Sequence, residues 1–94
     1  MELLWTPEAV RDREDIYEYI EEDNPRAALS LDELIAEKTA ALRDFPRLGR
    51  GGRVSNTFEL VVHSSYMIVY EIVGAQVRVL SVVHTSRQWP PLEG

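Results

Sequence analysis

Thr57-Phe58-Glu59-Leu60-Val61-Val62-His63, Tyr66-Met67-Ile68-Val69-Tyr70-Glu71-Ile72-Val73 and Gln76-Val77-Arg78-Val79-Leu80-Ser81-Val82-Val83 are β-rich runs broken only by Ser64-Ser65 and Gly74-Ala75. Branched and aromatic residues separated by two-residue polar or glycine breaks predict an antiparallel meander. In the first run Phe58, Leu60 and Val62 share one face, and Glu59, Val61 and His63 the other. In the second, Tyr66, Ile68, Tyr70 and Ile72 oppose Met67, Val69 and Glu71. The third run is apolar almost throughout, which predicts a central strand.

Working outward, Glu2-Leu3-Leu4-Trp5 reads as a first strand with Leu3 and Trp5 on one face. Thr6 then supplies a capping hydroxyl, Pro7 a first helical residue, and Glu8 a favourable first-turn charge. This helix is expected from Pro7 to Glu22, burying Ala9, Val10, Ile16, Tyr17 and Ile20, with the stem of Arg13 filling a gap. Asn24-Pro25 repeats the device. Ala27, Ala28, Leu31, Leu34, Ile35, Ala41, Leu42 and Phe45 follow helical spacing until Pro46 stops it. So short a turn between the helices predicts a hairpin whose apolar stripe covers one sheet face. Arg47 to Asn56 is a glycine- and arginine-rich connection, with a short strand expected around Arg53-Val54. The expected fold class is α+β in a single domain spanning residues 1–94: a short N-terminal strand, an antiparallel two-helix hairpin, then a twisted three- to four-stranded antiparallel sheet.

Composition narrows the function. Ninety-four residues support one modest core, and apolar and charged fractions of 45% and 28% are those of a globular chain. The absence of cysteine excludes disulfides and thiolate chemistry. No membrane-spanning run or signal-peptide pattern occurs, so a soluble, cytoplasmic protein with no membrane partner is expected. The net charge of −6 is uneven: residues 1–46 carry −8 and residues 47–94 carry +2, with Lys38 the single lysine. A general nucleic-acid binder needs a dense basic patch, so direct sequence-specific DNA binding is not expected. Two histidines without cysteine make no convincing metal set, and no cofactor is implied. The Arg50-Gly51-Gly52-Arg53 turn lacks the strand-to-helix setting of a phosphate-binding loop.

Asn24-Pro25-Arg26-Ala27-Ala28, Phe45-Pro46-Arg47-Leu48-Gly49-Arg50, Glu59-Leu60-Val61-Val62, Ile68-Val69-Tyr70 and Val83-His84-Thr85-Ser86-Arg87-Gln88-Trp89-Pro90 together resemble the RelE/ParE toxin superfamily of type II toxin–antitoxin systems. The likeness runs in order along nearly the whole chain. It is most specific in the phrase from Phe45 to Arg53 and in the ending from His84 to Pro90. It implies a growth-arresting toxin neutralised by a cognate antitoxin in a hetero-oligomer. It also implies one of two targets: DNA gyrase for ParE-like members, or mRNA on the ribosome, cleaved without metal, for RelE-like members.

Cleavage through a 2′-hydroxyl needs a base, an acid and cations for the developing phosphate charge. Candidates for such catalysis are Glu59 or His84 as base, His84 or a tyrosine as acid, and Arg53 or Arg87 as phosphate clamp, with Arg50 a further phosphate or target contact. His63, Tyr66 and Tyr70 complete the set of polar sheet residues. Each also has a plainer reading. His84 reads equally as a hydrogen-bonded structural histidine, His63 as an idle surface residue, and the tyrosines as core packing. Glu59 reads as a partner of Arg53, Arg78 or Arg87, and Trp89 as a pin for the tail. RelE-like nucleases carry cations where this chain has Phe58 and Met67, and they are basic. That contrast favours gyrase as target over cleavage. An alternative class is a non-toxic antitoxin-binding or regulatory module on the same fold. Val61, Met67, Val69 and Trp89 are the apolar residues expected to meet an antitoxin segment that folds on binding.

Overall fold

In the computed structural model, which describes residues 1–87 and 89–90, the chain forms β1 (Glu2–Trp5), α1 (Pro7–Glu21), α2 (Pro25–Ala40), β2 (Arg50–Gly51), β3 (Thr57–His63), β4 (Tyr66–Val73) and β5 (Gln76–His84). The meander arises where alternation and the two breaks place it. Gly74, at φ 58°, turns β4 into β5, and Ser64-Ser65 turns β3 into β4. Gln88 of the closing motif lies outside the described residues.

The sheet has five strands in the order β1-β5-β4-β3-β2, rather than three or four. It is mixed: β1 runs parallel to β5, with Leu3 opposite Val77 and Trp5 opposite Val79, and the other pairs are antiparallel. β5 is an interior strand as expected, flanked by β1 and β4, and β4 is the middle one of the five. A register shift between Val69 and Tyr70 leaves Leu80 as an extra residue in β5, a bulge the alternation did not announce.

Both helices start as their sequences dictate. Thr6 Oγ1 accepts from the Ala9 amide at 3.3 Å and Asn24 Oδ1 from the Ala27 amide at 3.1 Å, each followed by proline. Their ends differ from expectation. α1 stops at Glu21, and α2 stops at Ala40 before a 3-10 turn over Ala41–Arg43. Pro46 offers no amide and disfavours helical backbone at Phe45, so the chain tightens instead of continuing. Leu42 is buried, while Phe45 is left 63% exposed. The expected strand at Arg53-Val54 is also displaced, to Arg50–Gly51. Thr57 folds back on Val54 through its amide and hydroxyl, and Asn56 adopts φ 67°, so residues 53–56 form a turn.

The core lies between the hairpin and one sheet face. Ala9, Leu31, Ile35 and Leu42 pack on Val62, Ile68, Tyr70, Val77, Val79 and Val82, with Leu3, Trp5, Phe58 and Leu60 at its margin. Ala9 lies in the expected stripe, whereas Val10 and Ala27 face solvent. Thr39, absent from the expected stripe, is fully buried because its hydroxyl donates to the Ile35 carbonyl at 2.6 Å.

Candidate functional site

The end of the sheet where β3 meets β4 gathers the polar aromatic groups. His63, Tyr66 and His84 stand in one cross-strand row. The Tyr66 ring meets His84 edge-on at 5.4 Å and lies 6.3 Å from His63. Both histidines are fixed by the same device: the amide of Ser65 donates to His63 Nδ1 at 3.0 Å, and that of Ser86 donates to His84 Nδ1 at 3.1 Å. Each Nδ1 is thereby an acceptor, so in the neutral ring the proton sits on Nε2. Thr85 docks this turn on the β3–β4 hairpin, through its amide to the Ser65 carbonyl at 2.9 Å and its hydroxyl to the Ser64 carbonyl at 3.0 Å.

A cleft of about 670 Å³ opens here between α1 and the end of β5. Tyr66, His84, Arg87 and Trp89 line one side, and Glu8, Asp15 and Tyr19 of α1 the other. Asp12 closes its floor. Its Oδ2 accepts from the Ser81 hydroxyl at 2.6 Å and the Val82 amide at 3.0 Å, where β5 has run past the end of β1. The cleft therefore pairs a histidine, a tyrosine and an arginine with a carboxylate wall. Nothing in the sequence singled out Asp12 among the acids of α1.

Of the candidate catalytic residues, the fold brings together His84 and Arg87, and it sets Glu59 and Arg53 apart. Glu59 is buried on the sheet face opposite the hairpin, next to Val69 across the ladder. Its Oε1 accepts from Arg50 Nε at 3.3 Å, so its partner is Arg50 and not Arg53, Arg78 or Arg87. It lies four residue steps along β3 from His63, roughly 13 Å at strand rise. Arg53 is exposed in the turn before β3.

Two positions read as missing cations are packing residues here. Phe58 stacks on Tyr70 at 5.2 Å with Arg47 over its ring at 5.9 Å, and Met67 is buried. Tyr70 belongs to the core, as its plainer reading had it, with a second task. Its hydroxyl donates to the Pro46 carbonyl at 2.8 Å and accepts from the Gly49 amide at 2.9 Å, clasping the α2–β2 connection. Burial pushes its phenol above the ordinary 10.0, against the lowering effects of the Gly49 amide and Arg47. Of the apolar residues expected to meet an antitoxin, Val61 is 48% exposed and Trp89 half-buried. Met67 and Val69 are buried, which corrects the expectation that they stand open. Among the described residues no group of three or more acids and histidines is placed to hold a metal, and no helix is long and apolar enough to cross a membrane.

The chain is thus a helical hairpin on one face of a mixed five-stranded sheet, with a histidine and an arginine at the tail of the last strand. The family model described as "ParE toxin of type II toxin-antitoxin system, parDE" matches residues 3–89, and the chain belongs to that family, within the RelE/ParE superfamily. It is 40% identical over 89 residues, 94% of this chain and 92% of the relative, to "Putative toxin Y4kP" of Sinorhizobium fredii (strain NBRC 101917 / NGR234). Its fold is similar to that of the "Chromosomal ParDE TA system from P. aeruginosa", at TM-score 0.81 and 23% identity, covering 89% of this chain and 95% of the other. The "YoeB/ParE toxin from Agrobacterium tumefaciens" is also similar, at TM-score 0.62 and 20% identity over 89% and 98%. At such identities these two structures speak to fold alone.

Proposed function

We propose that this ParE-family toxin arrests growth by inhibiting DNA gyrase and is held inactive by a cognate antitoxin. The observation that carries the choice of target is the state of Glu59. A general base must reach the proton it removes. Here that carboxylate is buried, bound by Arg50, and on the sheet face away from His84. The packing of Phe58 and Met67 and the net charge of −6 support the same choice, since phosphate affinity grows with the cations presented. The antitoxin partner is supported by membership of a toxin–antitoxin family. Its contact surface would include Val61 and the margin near Trp89.

The test is a supercoiling assay beside a ribosome-bound mRNA cleavage assay, both with purified protein. Inhibited supercoiling with intact mRNA is expected; cleaved mRNA with normal supercoiling would reject gyrase as target. Induced expression without the neighbouring gene is expected to stop growth, and co-expression to restore it. Unimpaired growth would favour a non-toxic regulatory module instead. One observation favours the nuclease reading: His84, Tyr66 and Arg87 share a cleft, an acid and a cation side by side. On that reading, His84→Ala or Arg87→Ala lowers cleavage by about tenfold or more with folding unchanged.

A further inference from the structure

The connection between α2 and β3 has a character opposite to the rest of the molecule. Arg43, Arg47, Arg50 and Arg53 fall within eleven residues whose only acid is Asp44, in a chain of net charge −6. All four arginines are exposed. Between them stand Phe45, Leu48 and Val54, exposed by 63%, 55% and 38%. Among the large apolar residues described, Tyr19 alone is more exposed than Phe45 and Leu48.

The backbone of this segment is tied at several points. The Phe45 amide donates to the Ala41 carbonyl, the Leu48 amide to the Phe45 carbonyl, and the Gly52 amide to the Thr57 carbonyl at 2.8 Å. Tyr70 clasps Pro46 and Gly49, and Arg50 is tied to Glu59. The apolar side chains therefore stay in water although the backbone beneath them is fixed, which marks a surface shaped for contact.

We infer that the α2–β3 connection is a docking surface for a partner segment in which acidic residues alternate with large apolar ones. Charge complementarity selects that occupant: the arginines meet carboxylates while Phe45, Leu48 and Val54 take the apolar side chains. A single-stranded nucleic acid fits less well. Phe45 is the single aromatic ring of the patch, Leu48 and Val54 offer successive bases no stacking platform, and the acidic helices oppose a long phosphate chain. The inference does not depend on which cellular target the toxin attacks.

The probe is a fluorescein-labelled peptide of roughly twelve residues alternating Glu with Leu and Phe, compared with its Lys-for-Glu counterpart and an oligothymidylate of similar length. Fluorescence anisotropy with the intact protein is expected to show saturable binding of the acidic peptide alone. Arg43→Gln with Arg53→Gln is expected to weaken it by about tenfold, as is Phe45→Ser with Leu48→Ser. These side chains lie outside the core, and an unchanged thermal midpoint verifies that each variant is folded. No binding of the acidic peptide, equal binding of the basic one, tighter binding of the oligonucleotide, or indifference to both double variants would each overturn the inference.

Discussion

Tyr70 joins parts of the chain that lie far apart in sequence, and its hydroxyl is where single-residue chemistry matters most. Tyr70→Phe keeps the ring stacked on Phe58 but leaves the Pro46 carbonyl and Gly49 amide without their partner. A loss of about 1–3 kcal/mol in denaturant unfolding is expected. The same hydroxyl sets an alkaline limit. Because its folded pKa is raised above 10.0, the unfolded chain releases this proton first. The contribution is whole below that ordinary value and is lost as pH rises through the raised folded value. Stability measured across this range should fall in the natural protein, and less steeply in Tyr70→Phe. Gly49→Ala attacks the clasp from the other side, since a Cβ there would lie 2.7 Å from the Glu59 carbonyl oxygen and 2.8 Å from the Tyr70 hydroxyl. Neither atom can retreat without breaking β3 or the clasp, so a cost of about 1–3 kcal/mol is expected in the same measurement.

At the scale of elements, what was legible in the sequence was whatever depends on neighbours along the chain. β3 and β4 begin and end where alternation and turn residues place them, and both helices begin at their caps. The misjudged features depend on partners distant in sequence. Pro46 marks the stop of the helix locally, but the course of the chain after Ala40 is governed by the distant Tyr70 hydroxyl, and Phe45 follows the helical period without reaching the core. β1 was legible as a strand, but its parallel place beside β5 required the whole topology. Glu59 was legible as a polar sheet residue, while its burial and its bond to Arg50 rest on β2, a strand of two residues. The seal on β5 was equally hidden. Asp12→Ala removes the acceptor of two hydrogen bonds and should cost about 2 kcal/mol, read from denaturant unfolding. The larger sign would be faster amide exchange at Val82.

For the whole molecule, the distribution of polar groups over two sheet faces bears on mechanism. His84 and Arg87 share the cleft beside α1, and Glu59 lies on the face away from the hairpin. If gyrase is the target, His84→Ala should leave supercoiling inhibition within about twofold of the natural protein while folding is retained, because no proton transfer is asked of the imidazole. A tenfold loss with intact folding would return His84 to the centre of the mechanism. The asymmetry of charge acts at this scale as well. Acidic helices and an arginine-bearing connection give the protein a direction in which charged partners approach, and raising ionic strength should slow that approach more than it speeds release.

The Tyr70 clasp also provides a reporter. The Gly49 amide is held by a side chain rather than by the sheet ladder, so its hydrogen exchange measures opening of the clasp separately from unfolding of the core. If the connection it secures closes on a partner, Gly49 protection should rise on binding while protection in β4 stays unchanged. One amide thus distinguishes a surface that is ready-made from one that is completed by its partner.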